Sequence, residues 1–119
     1  LPNVSPRELA NVGVSALVSA LTLASADGAT ARALVAELER AALTRLDTEA
    51  ALSEKALANG GDRSKEQLIL KTWADWYQRA IQTMSEIEVG GSSPETERAI
   101  KAADTAVHRA GVDRVARLR

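Results

Sequence analysis

The chain of 119 residues has no cysteine, no phenylalanine and only one histidine. Without cysteine it can form neither a disulfide framework nor a thiolate site, and its redox compartment stays undetermined. Only 3% of the residues are aromatic although 45% are hydrophobic, so a core has to be built mainly from aliphatic side chains. A strong charge of either sign is also absent, because the net charge is −1. The chain as a whole therefore has no general attraction to nucleic acid or acidic lipid.

Signatures of catalysis and of metal binding are absent as well. His108 is the only histidine, and a structural zinc site usually needs four ligands that are mostly Cys and His. We therefore interpret His108 as a partly exposed helix residue. There is no Glu-x-x-His pair of the kind found in di-iron bundles, no G-x-S-x-G elbow and no phosphate-binding glycine loop. The sequence predicts no enzyme, no metal site and no cofactor.

The most unusual stretch that is present, Leu9–Ala26, contains no charged residue in eighteen positions. Its polar residues recur every three or four positions, which places them in one narrow stripe of an α-helix and leaves most of the circumference apolar. They are Asn11, Ser15, Ser19, Thr22 and Ser25. Such a helix needs cover on several sides, so we expect it to be the central helix of a bundle and a candidate assembly surface.

Two other interpretations of this stretch are weaker. A transmembrane helix needs about 20 predominantly apolar residues, whereas this stretch carries five hydroxyl or amide side chains. A secretory signal would need positive charge before the apolar run, but Glu8 cancels Arg7. We therefore expect no membrane span and favour a soluble, cytoplasmic protein over a secreted one.

Capping residues divide the chain into four predicted helices of one domain, 1–119. Ser5-Pro6 and Ser93-Pro94 are typical helix starts, and Asn59-Gly60-Gly61 is a typical helix end. The predicted helices cover 6–26, 29–58, 63–88 and 94–110, with a basic tail at 111–119 after the interruption expected at Gly111. This tail is either a bent continuation of the fourth helix or a separate last turn. The fold class is therefore all-α, an antiparallel up-down four-helix bundle or a long helical hairpin completed by oligomerisation.

Apolar residues at helical spacing predict the buried faces. In the third predicted helix they step by three and four residues, the pattern of helices packed at about +20°. This row comprises Leu70, Trp73, Tyr77, Ala80, Met84 and Ile87. The second helix has an every-fourth row of Leu34, Leu38, Ala42, Leu46 and Ala50, and the fourth has Ile100, Ala103, Val107 and Ala110. Trp76 lies beside the first row, where it could complete the core or anchor a partner.

These observations favour a non-enzymatic protein–protein interaction or assembly module that binds a protein partner or a second copy of itself. Its predicted contact residues are Leu17, Leu21 and Trp76. The alternative is a nucleic-acid-associated oligomeric adaptor, since the segment 98–119 carries a net charge of +4. Its predicted contacts are Arg109, Arg114, Arg117 and Arg119. A third hypothesis is a sensory or ligand-binding bundle of a larger protein, with a partly polar cavity between the first and third helices near Trp73.

Overall fold

The computed structural model describes residues 28–86 and 93–118, and this part of the chain is all-helical, as predicted. It contains three α-helices: α1, Gly28–Ala58; α2, Arg63–Glu86; and α3, Pro94–Arg117. The predicted first helix, 6–26, lies outside the described residues, as do Leu17 and Leu21. Three of the four predicted helices are therefore seen, and a four-helix bundle is not confirmed.

The turn between α1 and α2 forms because two consecutive glycines satisfy the last carbonyl groups of α1. The N–H of Gly60 donates to the carbonyl of Leu57 at 3.1 Å, and the N–H of Gly61 donates to that of Ala56 at 2.9 Å, the pattern of a Schellman cap. Gly60 has a φ of 87°, which side chains disfavour. A Cβ on Gly61 would lie 2.8 Å from the Ala56 carbonyl oxygen. The predicted helix end is confirmed.

The start of α3 is also the predicted one. The side chain of Ser93 accepts a hydrogen bond from the N–H of Thr96 at 3.1 Å, and Pro94 occupies the first turn. Glu95 and Glu97 lie in the same turn, where negative charge is favoured by the helix dipole. Local residue types thus fix where this helix begins.

The predicted end of this helix at residue 110 is wrong, because α3 continues through Gly111 to Arg117. Gly111 is buried, and a Cβ at this position would lie 2.6 Å from the Cβ of Ala74 on α2. The glycine therefore allows two helix backbones to approach closely. This packing compensates for its low helix propensity, about 1 kcal/mol relative to alanine. Residues 111–117 are part of α3 and not a separate tail.

The three helices pack against one another with alternating direction. Residues near the starts of α1 and α3 meet at Arg32 and Glu95, and residues farther along both meet at Asp47 and Arg114. On α2 the order is reversed, since Ser85 contacts Glu97 whereas Gln67 contacts Leu118. Helices α1 and α3 are therefore parallel, and α2 is antiparallel to both.

The core lies along the common axis of the three helices. The predicted α2 row is buried from Leu70 to Met84, and the α3 row is buried throughout; Ile87 lies outside the described residues. The predicted α1 row is only partly confirmed, because its members Leu34 and Leu38 are half-buried. Ala31 and Val35, which were not in the predicted row, are buried instead. An exact four-residue repeat rotates by about 40° per step around a helix of 3.6 residues per turn. A row of residues with this repeat therefore turns away from the core-facing side of the helix within a few turns.

Candidate interaction surface

Two of the three helix pairs are joined by polar side chains. Between α1 and α3, Arg114 Nε donates to Asp47 Oδ1 at 2.7 Å, and Arg32 Nη1 lies 3.6 Å from Glu95 Oε2. Only 17% of the Arg114 side chain is exposed. These bonds require one particular register of the two helices, so they specify how α3 lies along α1.

The α2–α3 pair is joined mainly by uncharged donors. Asp104 Oδ1 accepts hydrogen bonds from Gln78 Nε2 and Gln82 Nε2, both at 3.2 Å. Nearer the turn end of the bundle, Gln67 Nε2 donates to the carbonyl oxygen of Leu118 at 3.5 Å. The carboxylate of Asp104 is half-buried and is stabilised by the two amide groups of α2.

The α1–α2 pair is different. Between residues 31–58 of α1 and 63–85 of α2, no hydrogen bond or ion pair joins the two helices. Their one polar contact places the Arg45 guanidinium carbon 4.7 Å from the centroid of the Trp73 ring, a cation–π geometry. Arg45 is also paired with Glu49 of its own helix at 3.5 Å. Helices α1 and α2 are therefore held together mainly by apolar packing.

Along the outer edge of this pair runs a strip that we call the α1–α2 groove. Arg45 contacts α2. Residues that precede and follow Arg45 along α1 at alternating steps of three and four lie on the same side of this helix. They are Leu34, Leu38, Ala41, Arg45, Thr48 and Leu52. The matching row of α2, in line with Trp73, is Ile69, Trp73, Trp76, Ala80 and Thr83. Arg45 carries the only formal charge in the two rows.

The α1–α2 groove has fewer free polar groups than the residue types in its two rows suggest. Thr48 Oγ1 donates to the Thr44 carbonyl at 3.0 Å and Thr83 Oγ1 to the Arg79 carbonyl at 2.8 Å, so both hydroxyls are satisfied within their own helices. Leu34, Leu38, Ile69 and Trp76 are half-buried against the core. Leu52 remains 56% exposed. Beside Ala41, a shallow depression of about 490 Å³ on α1 is lined partly by charged side chains, those of Glu37 and Arg40.

Trp76 lies at the edge of a cluster of three aromatic rings. Trp73 and Tyr77 are 7% and 8% exposed, which confirms the prediction that they belong to the core. The Trp76 ring lies 4.5 Å from that of Tyr77 and 6.2 Å from that of Trp73, edge to face in both cases. Its Nε1 atom is buried, and no acceptor for it is found in the described part of the chain. A buried donor without an acceptor costs about 1–3 kcal/mol.

A second depression, of about 440 Å³, lies between α2 and α3. Ala74, Gly111 and Val112 contribute apolar surface, and Val112 is 58% exposed. His108 and Lys71 lie at this depression too. His108 is exposed, as expected for a helix residue. Within residues 28–86 and 93–118, no group of three His, Asp or Glu side chains could hold a metal ion.

The basic residues of the nucleic-acid hypothesis occupy different environments. Arg114 binds Asp47 and also donates to the Ala110 carbonyl at 3.2 Å. Arg117 lies 2.9 Å from Asp113 and is 65% exposed. Arg109 is exposed, and Arg119 lies outside the described residues. The four arginines do not form one described cluster, and a role for them in binding nucleic acid remains a prediction.

Trp73 is surrounded by Trp76, Tyr77 and Arg45, but the predicted cavity beside it involves the first predicted helix, which lies outside the described residues. Within the described part, no helix is both long and apolar enough to cross a membrane. The chain matches no known protein family, no curated protein and no solved structure.

Proposed function

We propose that this chain is a non-enzymatic protein–protein interaction or assembly module whose contact surface is the α1–α2 groove. The observation that carries the proposal is the Trp76 indole N–H, which is buried in an apolar groove and has no acceptor among residues 28–86 and 93–118. A docked helix would cover the half-buried leucines beside Trp76, and repacking of the indole against that helix would bring its N–H to an acceptor. Tryptophan is among the residues most often found at the energetic centre of protein interfaces.

The chemistry of the groove defines the kind of partner that fits. An apolar strip between two helices binds an amphipathic helix through anchors spaced at i, i+3, i+4 and i+7. Such a helix needs few charges, because the α1–α2 groove offers only Arg45, which is already paired with Glu49. The stretch Leu9–Ala26, which has no charge, meets this requirement.

The four-helix bundle is part of this proposal. The stretch Leu9–Ala26, with Leu17 and Leu21 as its main anchors, would provide the fourth helix, supplied either by the same chain or by another. In both cases it would bury apolar surface that is favourable to remove from water by about 25 cal/mol per Å². The four-helix state is therefore expected to be more stable than the three described helices alone.

Light scattering of the full chain over a range of concentrations tests the proposal. We expect the native mass to rise with concentration, and Trp76→Ala to abolish this rise. Val112→Ala is the matched control, because it removes an exposed apolar side chain from the α2–α3 depression instead. A monomer at all concentrations, together with partner binding that Trp76→Ala leaves unchanged, would contradict the proposal. If Trp76→Ala and Val112→Ala reduce the rise in native mass equally, the contact surface lies outside the α1–α2 groove.

A further inference from the structure

We propose that the occupant of the α1–α2 groove is the stretch Leu9–Ala26 of a second copy of this chain, exchanged reciprocally between the two copies. This inference rests on the proposed function and names its partner. Only Asp27 separates Ala26 from Gly28, the first residue of α1.

The length of this connection disfavours docking within one chain. Two antiparallel helices packed side by side are usually joined by a loop of about 2–5 residues, but one residue is available here if the predicted helix runs to residue 26. Short, strained hinge segments favour exchange between copies. When the connection is straightened, the stretch extends away from its own α1 and reaches that of a neighbour.

The groove row of α1 and a row of the uncharged stretch match in spacing. On α1 the groove row steps by four, three and four residues through Leu34, Leu38, Ala41 and Arg45. In the uncharged stretch, Ala10, Val14, Leu17 and Leu21 step by four, three and four. Equal heptad spacing is what two helices need to pack along a common seam.

The register follows from the short connection. If two copies run antiparallel and cross at their Asp27-Gly28 junctions, Leu17 of one copy lies opposite Leu38 of the other. By the same symmetry Leu21 lies opposite Leu34. The arrangement is isologous, because each contact occurs twice and the assembly closes as a dimer.

The polar residues are compatible with this register. Ser15 and Ser19 lie on the side of the predicted helix opposite Leu17, since residues two positions apart differ by about 200° in direction. Docking through Leu17 therefore leaves these hydroxyls in solvent. The α1–α3 side of the bundle is a poor alternative, because there an apolar helix would cover the ion pairs Arg32–Glu95 and Asp47–Arg114.

The absence of cysteine from the chain allows a direct test by crosslinking. Full-length Leu17→Cys protein is unfolded and refolded together with full-length Leu38→Cys protein, and the mixture is oxidised. We expect a disulfide-linked dimer that contains one chain of each kind. The matched control replaces Leu38→Cys with Leu43→Cys, another half-buried leucine of α1 that lies on the α1–α3 side, and it should crosslink several-fold less.

Three outcomes would overturn the assignment. They are no crosslink, equal crosslinking of both mixtures, and a Leu17→Cys/Leu38→Cys double variant that closes its disulfide within a single chain. The last outcome, combined with an association that still depends on Trp76, would refute the second copy as occupant but leave the proposed function intact. An association that is independent of Trp76 would instead refute the proposed function.

A second pair of variants decides the matter if circular dichroism shows that the cysteine variants do not fold. Leu17→Glu should convert the dimer to a monomer in light scattering, because it places a charge in the apolar contact. Ser15→Glu, on the opposite side of the same predicted helix, should leave the dimer mass unchanged. A dimer that survives Leu17→Glu, or one that both variants disrupt equally, would overturn the proposal.

Discussion

The α1–α2 interface and the two interfaces of α3 hold the same bundle together by different means. Side chains of α3 bind α1 through the Arg114–Asp47 pair, and they bind α2 through Asp104 and two glutamines. Within residues 31–58 and 63–85, α1 and α2 have only the Arg45–Trp73 contact as a polar link. Directional bonds specify register, whereas apolar packing is roughly proportional to buried area and is non-directional.

This difference explains why one side of the bundle is suited to receive another helix. An incoming helix at either α3 interface would have to cover charged or amide groups, which is costly unless each group keeps a partner. At the α1–α2 groove it would cover mostly leucine, alanine and tryptophan. The side with the fewest polar links is thus the side where additional apolar burial is most favourable.

The largest effect is expected where α2 and α3 approach most closely. Gly111→Val should lower the free energy of unfolding by about 1–3 kcal/mol, as overpacking does in other cores, because even a Cβ would lie 2.6 Å from that of Ala74. Urea unfolding measures this loss. Ala102→Val, at an exposed position of α3, is the control and should have little effect. Equal stability of the two variants would show that the close approach is not required.

The next largest effect should come from the polar link between α2 and α3. Asp104→Ala removes the acceptor of two amide hydrogen bonds, each worth about 0.5–1.5 kcal/mol, and should lower the urea midpoint accordingly. Asp75→Ala is the matched control, since Asp75 is exposed and has no such bond within the described residues. Equal stability of the two variants would show that Asp104 does not stabilise the α2–α3 interface. The difference from the α1–α2 interface would then rest on the α1–α3 ion pairs alone.

A smaller effect is expected from the ion pair between α1 and α3. A double-mutant cycle of Arg114→Ala and Asp47→Ala should give a coupling energy of about 0.2–1 kcal/mol, which decreases as salt is added. Arg109→Ala, at an exposed position, should not couple to Asp47.

This cycle also addresses the nucleic-acid hypothesis. Arg114→Ala would favour that hypothesis if it weakened salt-sensitive DNA binding without changing stability.

The smallest effect is expected in the α1–α2 groove itself. At concentrations where the chain is monomeric, Trp76→Phe removes a buried donor that has no acceptor among the described residues. The gain from removing that donor should nearly offset the loss of apolar surface, so thermal unfolding should change very little. The expected net change is below about 1 kcal/mol, because the two contributions are each about 1–3 kcal/mol and have opposite signs. A much larger loss would show that the indole N–H is already bonded in the monomer.

Local residue types made the helix ends predictable. Ser93-Pro94 and Gly60-Gly61 act through bonds to residues within five positions of themselves, so their sequence alone indicates the structure. The α2 row from Leu70 to Met84 was predictable for a similar reason, because its three-four spacing follows the helix period. Where the spacing was an exact four, as from Leu34 to Ala50, the row departs from the buried face.

Features that depend on the register between distant helices were not predictable. Gly111 has the sequence signature of a helix end, and only its position opposite Ala74 shows that it permits close packing. Asp104 gave no sign that it would bind Gln78 and Gln82, which are more than twenty positions away. Trp76 was a candidate contact residue from its place beside the apolar row. Only the three-dimensional structure shows that the N–H of Trp76 has no acceptor among the described residues.

The most direct test of the α1–α2 groove is the indole N–H spectrum of the ¹⁵N-labelled full chain. The chain has only two tryptophans, so Trp76→Phe assigns both signals. As the concentration is raised through the association range, the Trp76 signal should shift as its N–H gains an acceptor, while that of Trp73 in the core should move much less. A Trp76 signal that does not shift while the native mass increases would contradict the groove as the contact surface.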